Sequence, residues 1–176
     1  YTMLGYKDND GNYINKGSKY TRSDHYVTGF EYNSSNSSRI TIEGFYKKYS
    51  QYPVSLIDNI SLANKGGGFE VLGNEPISSD GKGKTYGIET LYQQKLNKNF
   101  YGVFAYTFFY SRFTSIQGDY LPSVWDSRHL ISFSGGYKLK KNWEISARWR
   151  FSGKTPYVPV NINATLVSYP EIILDY

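Results

Sequence analysis

The sequence of 176 residues contains no cysteine, a single methionine and no hydrophobic run long enough for a membrane-spanning helix. Without cysteine the chain has neither disulfide bonds nor thiolate metal sites, which leaves its redox compartment undetermined. A spanning helix needs about 20 consecutive apolar residues, and no segment approaches that length. The mean hydropathy of -0.54 still permits a membrane location, because a strand of a membrane barrel faces lipid with only every second residue.

Aromatic residues, by contrast, are abundant. They make up 18% of the chain and include 19 tyrosines. A soluble core is usually filled with leucine, isoleucine and valine, whereas membrane barrels carry girdles of tyrosine, phenylalanine and tryptophan whose rings meet both lipid and water. The composition therefore favours a membrane barrel.

The formal net charge is +5, but the lysines and arginines are scattered and lie near expected turns and loops. Nucleic-acid binding requires basic residues clustered on one face, so we predict no nucleic-acid partner. The chain starts at Tyr1 without a signal peptide. We therefore expect a processed chain or a part of a longer polypeptide.

Six segments alternate between apolar and polar residues with period two, and each predicts a β-strand. Usual strands have about five or six residues, whereas a membrane crossing takes about nine to eleven. The six segments have the longer length. They are residues 23–33, 39–49, 85–96, 100–110, 128–138 and 143–151.

Each predicted strand has one face for lipid and one for a wet lumen. We expect the following side chains to face lipid: Tyr92, Phe104, Phe108, Ile131, Phe133, Trp143, Ile145, Trp149 and Phe151. On the opposite face we expect Glu43, Glu89, Arg148 and Arg150 to point into the lumen. These four charges could line a substrate path or hold a plug inside the barrel.

The alternation also predicts how three hairpins pair, because both strands must place their apolar side chains on the same face. Loops of three residues satisfy this condition at 35–37, 97–99 and 139–141. They place Phe30 opposite Ile42, Tyr92 opposite Phe104, and Ile131 opposite Trp149. The third loop contains neither glycine nor asparagine, so its register is the least constrained.

Long connections alternate with these short ones, at residues 50–84, 111–127 and after Ser152. This is the layout of an outer-membrane barrel, with short periplasmic turns and long external loops. The smallest single-chain barrels have about eight strands, so six cannot close. We therefore predict an all-β fold: a fragment of about six strands of a larger antiparallel transmembrane β-barrel, whose segment 23–33 and extended region after Ile162 pair with further strands.

Several local patterns, taken together and in order, resemble TonB-dependent outer-membrane receptors of the Bacteroidetes type. They cover most of the chain and belong to the C-terminal part of the family's barrel. The patterns are Ser23-Asp24-His25-Tyr26, Gly29-Phe30-Glu31-Tyr32, Glu43-Gly44-Phe45-Tyr46-Lys47-Lys48-Tyr49, Gly87-Ile88-Glu89, Tyr106-Thr107, Trp125-Asp126-Ser127-Arg128-His129 and Gly153-Lys154-Thr155-Pro156-Tyr157-Val158-Pro159.

The resemblance implies a barrel of about 22 strands around an N-terminal plug, in the outer membrane of a Gram-negative cell. Residues 1–176 would be a partial barrel domain, without a plug or TonB-box candidate. The implied partners are outer-membrane lipid, the remainder of the barrel and its plug, the TonB complex and, as a further candidate, a surface lipoprotein.

The resemblance also implies that the receptor imports a large nutrient such as a glycan, a peptide or a siderophore-like compound. Two alternatives remain. The chain could belong to a non-transporting outer-membrane barrel that acts as an adhesin or assembly partner. A soluble β-sandwich is disfavoured by the strand lengths and by the alternation of loops.

No catalytic residue, cofactor or metal site is predicted, and we expect no enzyme. The segment 81–85 ends like a phosphate-binding loop, but a predicted strand follows it where that motif requires a helix. The segment 8–12 alternates Asp and Asn as calcium loops do, yet Tyr13 occupies a required glycine position, which favours a plain turn. Asp126, Arg128 and His129 lie together at one strand entry, where we expect a hydrogen-bonded cluster that anchors the loop.

Overall fold

The computed structural model describes residues 3–35, 37–65 and 72–168. Within these residues, seven strands form one antiparallel sheet, accompanied by a 3-10 helix at Ile14–Gly17 and a short helix, α1, at Ile162–Ser168. The strands are β1 (Arg22–Ser35), β2 (Ser38–Ser55), β3 (Ile77–Asn97), β4 (Phe100–Thr114), β5 (Tyr120–Pro122), β6 (His129–Lys138) and β7 (Glu144–Ser152). This confirms the all-β prediction. Within the described residues, no helix is both long and apolar enough to cross a membrane.

The six predicted segments correspond to the six long strands, which are ordered β1-β2-β3-β4-β6-β7, while β5 pairs with β4 alone. Along the described chain, β1 and β7 each have a neighbour on one side only. The sheet is therefore open. Lipid cannot form hydrogen bonds with the backbone groups of an unpaired strand edge. An open sheet is therefore expected for a fragment of a larger barrel, whose other strands would pair with both edges.

The connection predicted at 50–84 is shorter than expected, because β2 extends to Ser55 and β3 begins at Ile77. The added parts of β2 and β3 contain glycines and polar residues, so the sequence shows no alternation that would predict them as strands. Gly81 pairs with Tyr52, and a side chain at Gly81 would collide with the Tyr52 carbonyl. The missing side chain thus allows the two strands to approach closely, although the segment shows no alternation.

The predicted registers of the first two hairpins are confirmed: Phe30 pairs with Ile42, and Tyr92 pairs with Phe104. Their tips are tighter than predicted. Irregularities in the ladder pair Ser35 with Ser38 and Asn97 with Phe100, which leaves two residues in each turn instead of three.

The predicted register of the third hairpin is wrong by two residues. Ile131 pairs with Phe151, and Trp149 pairs with Phe133. The turn spans five residues, 139–143, and Asn142 adopts a left-handed conformation with φ of 61°. Asparagine tolerates that conformation well, so it favours the longer turn. A shift of two residues leaves every side chain on its predicted face.

The region after Ile162, predicted to be extended, instead begins with α1. The Asn161 side chain accepts a hydrogen bond from the amide of Ala164 at 3.0 Å. This is the usual role of a residue preceding a helix, and it explains why the helix starts here. Residues 169–176 lie outside the described residues.

Register divides the sheet into two faces. The aromatic face carries two rows that cross several strands: Tyr26, Tyr46, Tyr86 and Tyr110 form the first, and Tyr92, Phe104, Phe133 and Trp149 form the second. Six residues separate the rows along β3, or about 20 Å at about 3.4 Å per residue. The polar face, on the other side, carries Glu43 and Glu89.

The buried core lies mainly at one end of the sheet rather than across its faces. Among the described residues, the buried apolar side chains are Val54, Ile60, Leu62, Ala63, Ile77, Phe109 and Phe113. Five of these seven lie in the long connection between β2 and β3 or in the strand ends beside it. On the aromatic face, Tyr26 is 62% exposed and Trp149 is 53% exposed, so this face lacks a covering protein layer within the described structure.

Candidate functional site

The connections at the core end of the sheet pack against one another, and we call them the loop cap (residues 3–21, 56–65, 72–76 and 115–128). The amide of Ile116 donates to the Asn59 carbonyl at 2.8 Å, and the amide of Val124 donates to the Ala63 carbonyl at 3.1 Å. The Asn64 side chain donates to two carbonyls of β5, those of Leu121 at 3.0 Å and Pro122 at 2.8 Å. Both long connections therefore lie at the same end of the sheet, opposite the short turns.

The buried amide of Asn15 ties the N-terminal part of the cap to the start of β3. Its nitrogen donates to the Met3 carbonyl at 2.8 Å and to the Glu75 carbonyl at 2.7 Å. Its oxygen accepts from the Ile77 amide at 3.0 Å. One side chain thus connects the backbone at Met3 with the backbone at Glu75 and Ile77, which is distant from it in sequence.

A buried cluster of charged side chains links the segments of the loop cap to one another. The ammonium of Lys65 donates to both carboxylate oxygens of Glu75, at 2.7 and 2.9 Å, and also contacts Asp58. The Ser55 hydroxyl donates to Glu75 and accepts from the amide of Asp58 at 3.1 Å. Burial alone would lower the pKa of Lys65, but its hydrogen bonds to Asp58 and Glu75 outweigh burial and raise the pKa above its ordinary value.

Under the cap, four aromatic rings meet on the polar face. Phe113 is 1% exposed, and its ring centroid lies 4.5 Å from Tyr52, 5.3 Å from Tyr49 and 5.8 Å from Trp125. The Trp125 indole also donates to the Ser111 hydroxyl at 3.0 Å. The connection between β4 and β6 therefore folds over the polar face.

Beside these rings lies an open groove of about 280 Å³. Trp125 and Phe45 contribute aromatic walls, while Lys47 and Glu89 contribute one charge of each sign. Apolar walls with a few polar groups are typical of small-molecule sites. The groove can therefore stack a ring and hydrogen-bond its polar substituents.

Sequence reasoning did not assign Phe45, Lys47 or Trp125 to this groove. The available signal was the bulky side chains at Phe45 and Tyr49 on the face predicted to be polar. The position of Trp125 depends on the fold of a long connection, which alternation does not predict.

The four charges predicted to be lumenal all lie on the polar face by register. Glu43 pairs directly with Glu89, and Gly29 makes room for the former, since a Cβ there would come within 2.7 Å of the Glu43 Cγ. Arg148 and Arg150 lie on β7, opposite serines of β6. None of the four forms an ion pair with another described residue.

The structure brings together two members of the predicted loop cluster. Arg128 lies 3.2 Å from the buried carboxylate of Asp126, and its guanidinium covers the Tyr110 ring at 3.8 Å. Neither oxygen of Asp126 has hydrogen-bond geometry with a partner among the described residues, so the contact is an ion pair alone. The ring of His129 points to the aromatic face instead, 2.9 Å from the Tyr106 hydroxyl.

The residues predicted to face lipid follow the same alternation. Eight of them lie on strands with their positions on the aromatic face, and Trp143 lies just before β7, at the end of the last turn.

Asp8 forms a plain turn. Its carboxylate accepts from the amides of Asp10 and Asn12 at 3.0 and 2.8 Å, and the bond from the Asn12 amide lowers the pKa of Asp8. The segment 81–85 lies within β3, without the helix that a phosphate-binding loop requires. Over the described residues, no three histidine, cysteine or acidic side chains are grouped so that they could hold a metal ion.

Comparison with protein families gives a match over residues 1–171 to the family described as TonB dependent receptor-like, beta-barrel. Curated proteins and solved structures gave no significant match. The family is one of outer-membrane receptors, which implies a lipid environment and an interaction with TonB. The long antiparallel strands, the open edges and the aromatic rows agree with a barrel fragment. The chain belongs to the TonB-dependent receptor family and forms part of its transmembrane β-barrel.

Proposed function

We propose that this chain is one wall of a receptor that imports a large nutrient across the outer membrane, with its aromatic face against lipid and its polar face toward the lumen. The supporting observation is the separation of the two faces, because rows of rings cross the sheet on one side while Glu43, Glu89, Arg148 and Arg150 lie on the other. An apolar outer band with aromatic girdles and a polar interior is the pattern of outer-membrane barrels.

The loop cap then faces the outside of the cell, and the groove beside Trp125 lies where the cap meets the lumen. Its rings, with Lys47 and Glu89, suit a ligand that combines flat or ring-shaped parts with polar groups. Glycans, peptides and siderophore-like compounds share this chemistry. We assign the groove a binding role without a catalytic step.

The unpaired lumenal charges have a second role in this proposal. Glu43 and Glu89 are like charges placed directly opposite each other, an arrangement that costs stability unless a cation approaches them. A plug inside the barrel, or a ligand passing through it, would supply the opposite charge. The same reasoning applies to Arg148 and Arg150 with an anionic group.

Binding and uptake by cells that carry the full-length receptor test this proposal. Panels of labelled glycans, peptides and siderophores identify the ligand. Trp125→Ala should weaken its binding about tenfold or more, since loss of a stacked ring typically costs more than 1 kcal/mol at a binding hot spot. Trp143→Ala, at the opposite end of the sheet, is the matched control and should bind normally.

Dissipating the proton-motive force separates import from adhesion. Under the proposal, surface binding persists while uptake stops, because TonB transmits inner-membrane energy to the receptor. Binding without energy-dependent uptake would instead support the adhesin or assembly alternative. Equal binding by the Trp125→Ala and Trp143→Ala variants would exclude the groove as the ligand site.

A further inference from the structure

Three cations form a row across the aromatic face. Lys48 pairs directly with Lys84, and Lys84 pairs directly with Arg112. We call these three residues the cation row. Each lies two residues outward from a tyrosine of the first aromatic row, toward the loop cap, so all three side chains share the face of the tyrosines.

The carboxylate directly opposite the cation row forms its ion pair with a cation outside the row. Within the described parts of the chain, none of its three members forms an ion pair. Asp24, the residue of β1 that pairs with Lys48, is held by Arg22 at 3.1 Å. Like charges directly opposite each other on neighbouring strands destabilise a sheet. An anion bound here would reduce the repulsion among the three cations.

Two members are partly positioned by the protein. The Lys84 ammonium lies 4.2 Å from the centroid of the Tyr120 ring. The Arg112 guanidinium lies 5.8 Å from the centroid of the Tyr110 ring, and its Nε atom is buried without a hydrogen-bond partner among the described residues. The site therefore has a cation held in position, that of Lys84, and a buried donor, the Arg112 Nε, that lacks an acceptor.

An apolar groove of about 490 Å³ begins on the other side of the tyrosine row. Tyr46, Tyr86, Ile88 and Phe108 contribute its walls. Gly44 leaves it open, since a Cβ there would meet nothing within 4 Å. Along β2, four residues separate Gly44 from Lys48, or about 14 Å at about 3.4 Å per residue.

We propose that the cation row and this groove form one binding site for a phosphate-bearing lipid of the outer leaflet. The phosphate lies against Lys48, Lys84 and Arg112, while an acyl chain passes the tyrosines and fills the space over Gly44. This proposal rests on the assignment of the aromatic face to lipid. A soluble anion would use the cations alone, but an amphiphile uses both the cations and the adjoining groove.

The test uses the full-length receptor, purified in a non-ionic detergent and stripped of lipid, and native mass spectrometry to count bound lipids. The probes are phosphatidic acid and phosphatidylcholine with identical acyl chains. We expect the receptor to bind phosphatidic acid about tenfold more tightly, because cations near a membrane surface attract anionic headgroups. The K48Q/K84Q/R112Q variant should lose this preference.

Two variants complete the design. K138Q/K140Q/K141Q removes three cations at the opposite end of the sheet and should keep the preference. Gly44→Leu fills the groove and should weaken binding of both lipids. Should the triple cation-row variant fold poorly, Lys48→Gln and Lys84→Gln are tested singly, each with a smaller but measurable loss of preference.

An unchanged preference in the cation-row variants would overturn the proposal. A second combination of results would also overturn it: inorganic phosphate binds as tightly as phosphatidic acid, and the Gly44→Leu variant binds lipid like the native receptor. The site would then serve a soluble anion. Quenching by brominated acyl chains, compared between the native receptor and Trp149→Phe, tests the face assignment separately. If Trp149 contributes no quenched emission, the face assignment itself fails. If Trp149 emission is quenched but the cation-row variants keep the preference for phosphatidic acid, only the proposal of a lipid site fails.

Discussion

Tyr86 stacks on Tyr110 across β3 and β4, with ring centroids 5.3 Å apart and planes inclined by 9°. The pair forms one end of a row that continues to Tyr46 at 6.4 Å and then to Tyr26 at 6.5 Å, and Arg128 covers the Tyr110 ring at this end. A tyrosine row that ends in cations marks the level where an apolar band meets water. The second aromatic row lies about 20 Å away along β3. In the proposed orientation, the two rows therefore bracket the segment that crosses the membrane.

A charge placed between the two rows should therefore destabilise the barrel. Thr90 lies on the aromatic face between Tyr86 and Tyr92. We expect Thr90→Lys to lower the free energy of unfolding from a bilayer by about 2–4 kcal/mol, the usual cost of a lysine near the midplane. Denaturant unfolding of the full-length receptor in vesicles measures it.

The matched control is Leu91→Lys, one residue along β3 on the polar face. Because this side chain would point into a wet lumen, its effect should be well below that of Thr90→Lys. Equal losses for the two variants would contradict the assignment of faces.

The alternation in the sequence predicted the six long strands and the pairing of the first two hairpins because a strand with one apolar face admits a single parity. It did not predict the third register. A shift of two residues preserves parity, and the longer turn places both Lys141, inside the predicted loop, and Asn142, just outside it, in the left-handed conformation. Parity decides which face a residue occupies, whereas turn chemistry decides which residue it meets.

The candidate site was less predictable than the fold. Phe113, Tyr52 and Trp125 come from three separate segments, and only the packing of the loop cap brings their rings together. Val54, at the end of β2, and Ile60, in the cap, are both buried, yet their surroundings show no regular period. Long connections that fold on one another are determined by contacts distant in sequence, which local patterns do not contain.

The aromatic cluster depends on the missing side chain of Gly83. A Cβ at this position would overlap the Phe113 ring, which Tyr49, Tyr52 and Trp125 hold in place. Overpacking of this kind typically costs about 1–3 kcal/mol. We expect Gly83→Ala to displace Trp125, which a red shift of tryptophan emission relative to the native receptor would report.

Gly44→Ala is the control for this prediction. Both substitutions add one methyl group to a strand glycine, but at Gly44 the added carbon meets no atom within 4 Å. Its emission should match that of the native receptor. A similar shift in both variants would show that strand propensity, and not the contact with Phe113, produces the change.

The charge cluster of the loop cap should make the cap sensitive to high pH. The pKa of Lys65 is raised above its ordinary value of 10.5. A raised pKa in the folded state adds stability that is complete below the unfolded value and disappears as the pH rises through the folded value. The cap should therefore loosen above pH 10.5, which the rate of limited proteolysis within the cap can follow.

Lys65→Gln provides the comparison that isolates this lysine from other groups that titrate at high pH. The variant leaves Asp58 and Glu75 without their cation, so its cap should already be cleaved faster at neutral pH. Its cleavage rate should then increase less than that of the native receptor as the pH rises. Removing one partner of a buried ion pair typically costs about 3–5 kcal/mol. Parallel pH profiles for the variant and the native receptor would exclude Lys65 as the cause.

The direction of the barrel in the membrane can be tested at two positions, one in the loop cap and one in the last turn. Gln117 lies in the cap, whereas Lys140 lies in the turn between β6 and β7 at the opposite end of the sheet. Both are exposed, and this stretch of chain contains no cysteine. In the full-length receptor, with any other cysteines removed, Gln117→Cys should react with a membrane-impermeant maleimide on intact cells, because long connections of outer-membrane barrels face outward. Lys140→Cys should react only after the outer membrane is opened, and this later reaction shows that its thiol is accessible. Labelling of Lys140→Cys but not Gln117→Cys on intact cells would reverse the proposed topology and place the loop cap in the periplasm.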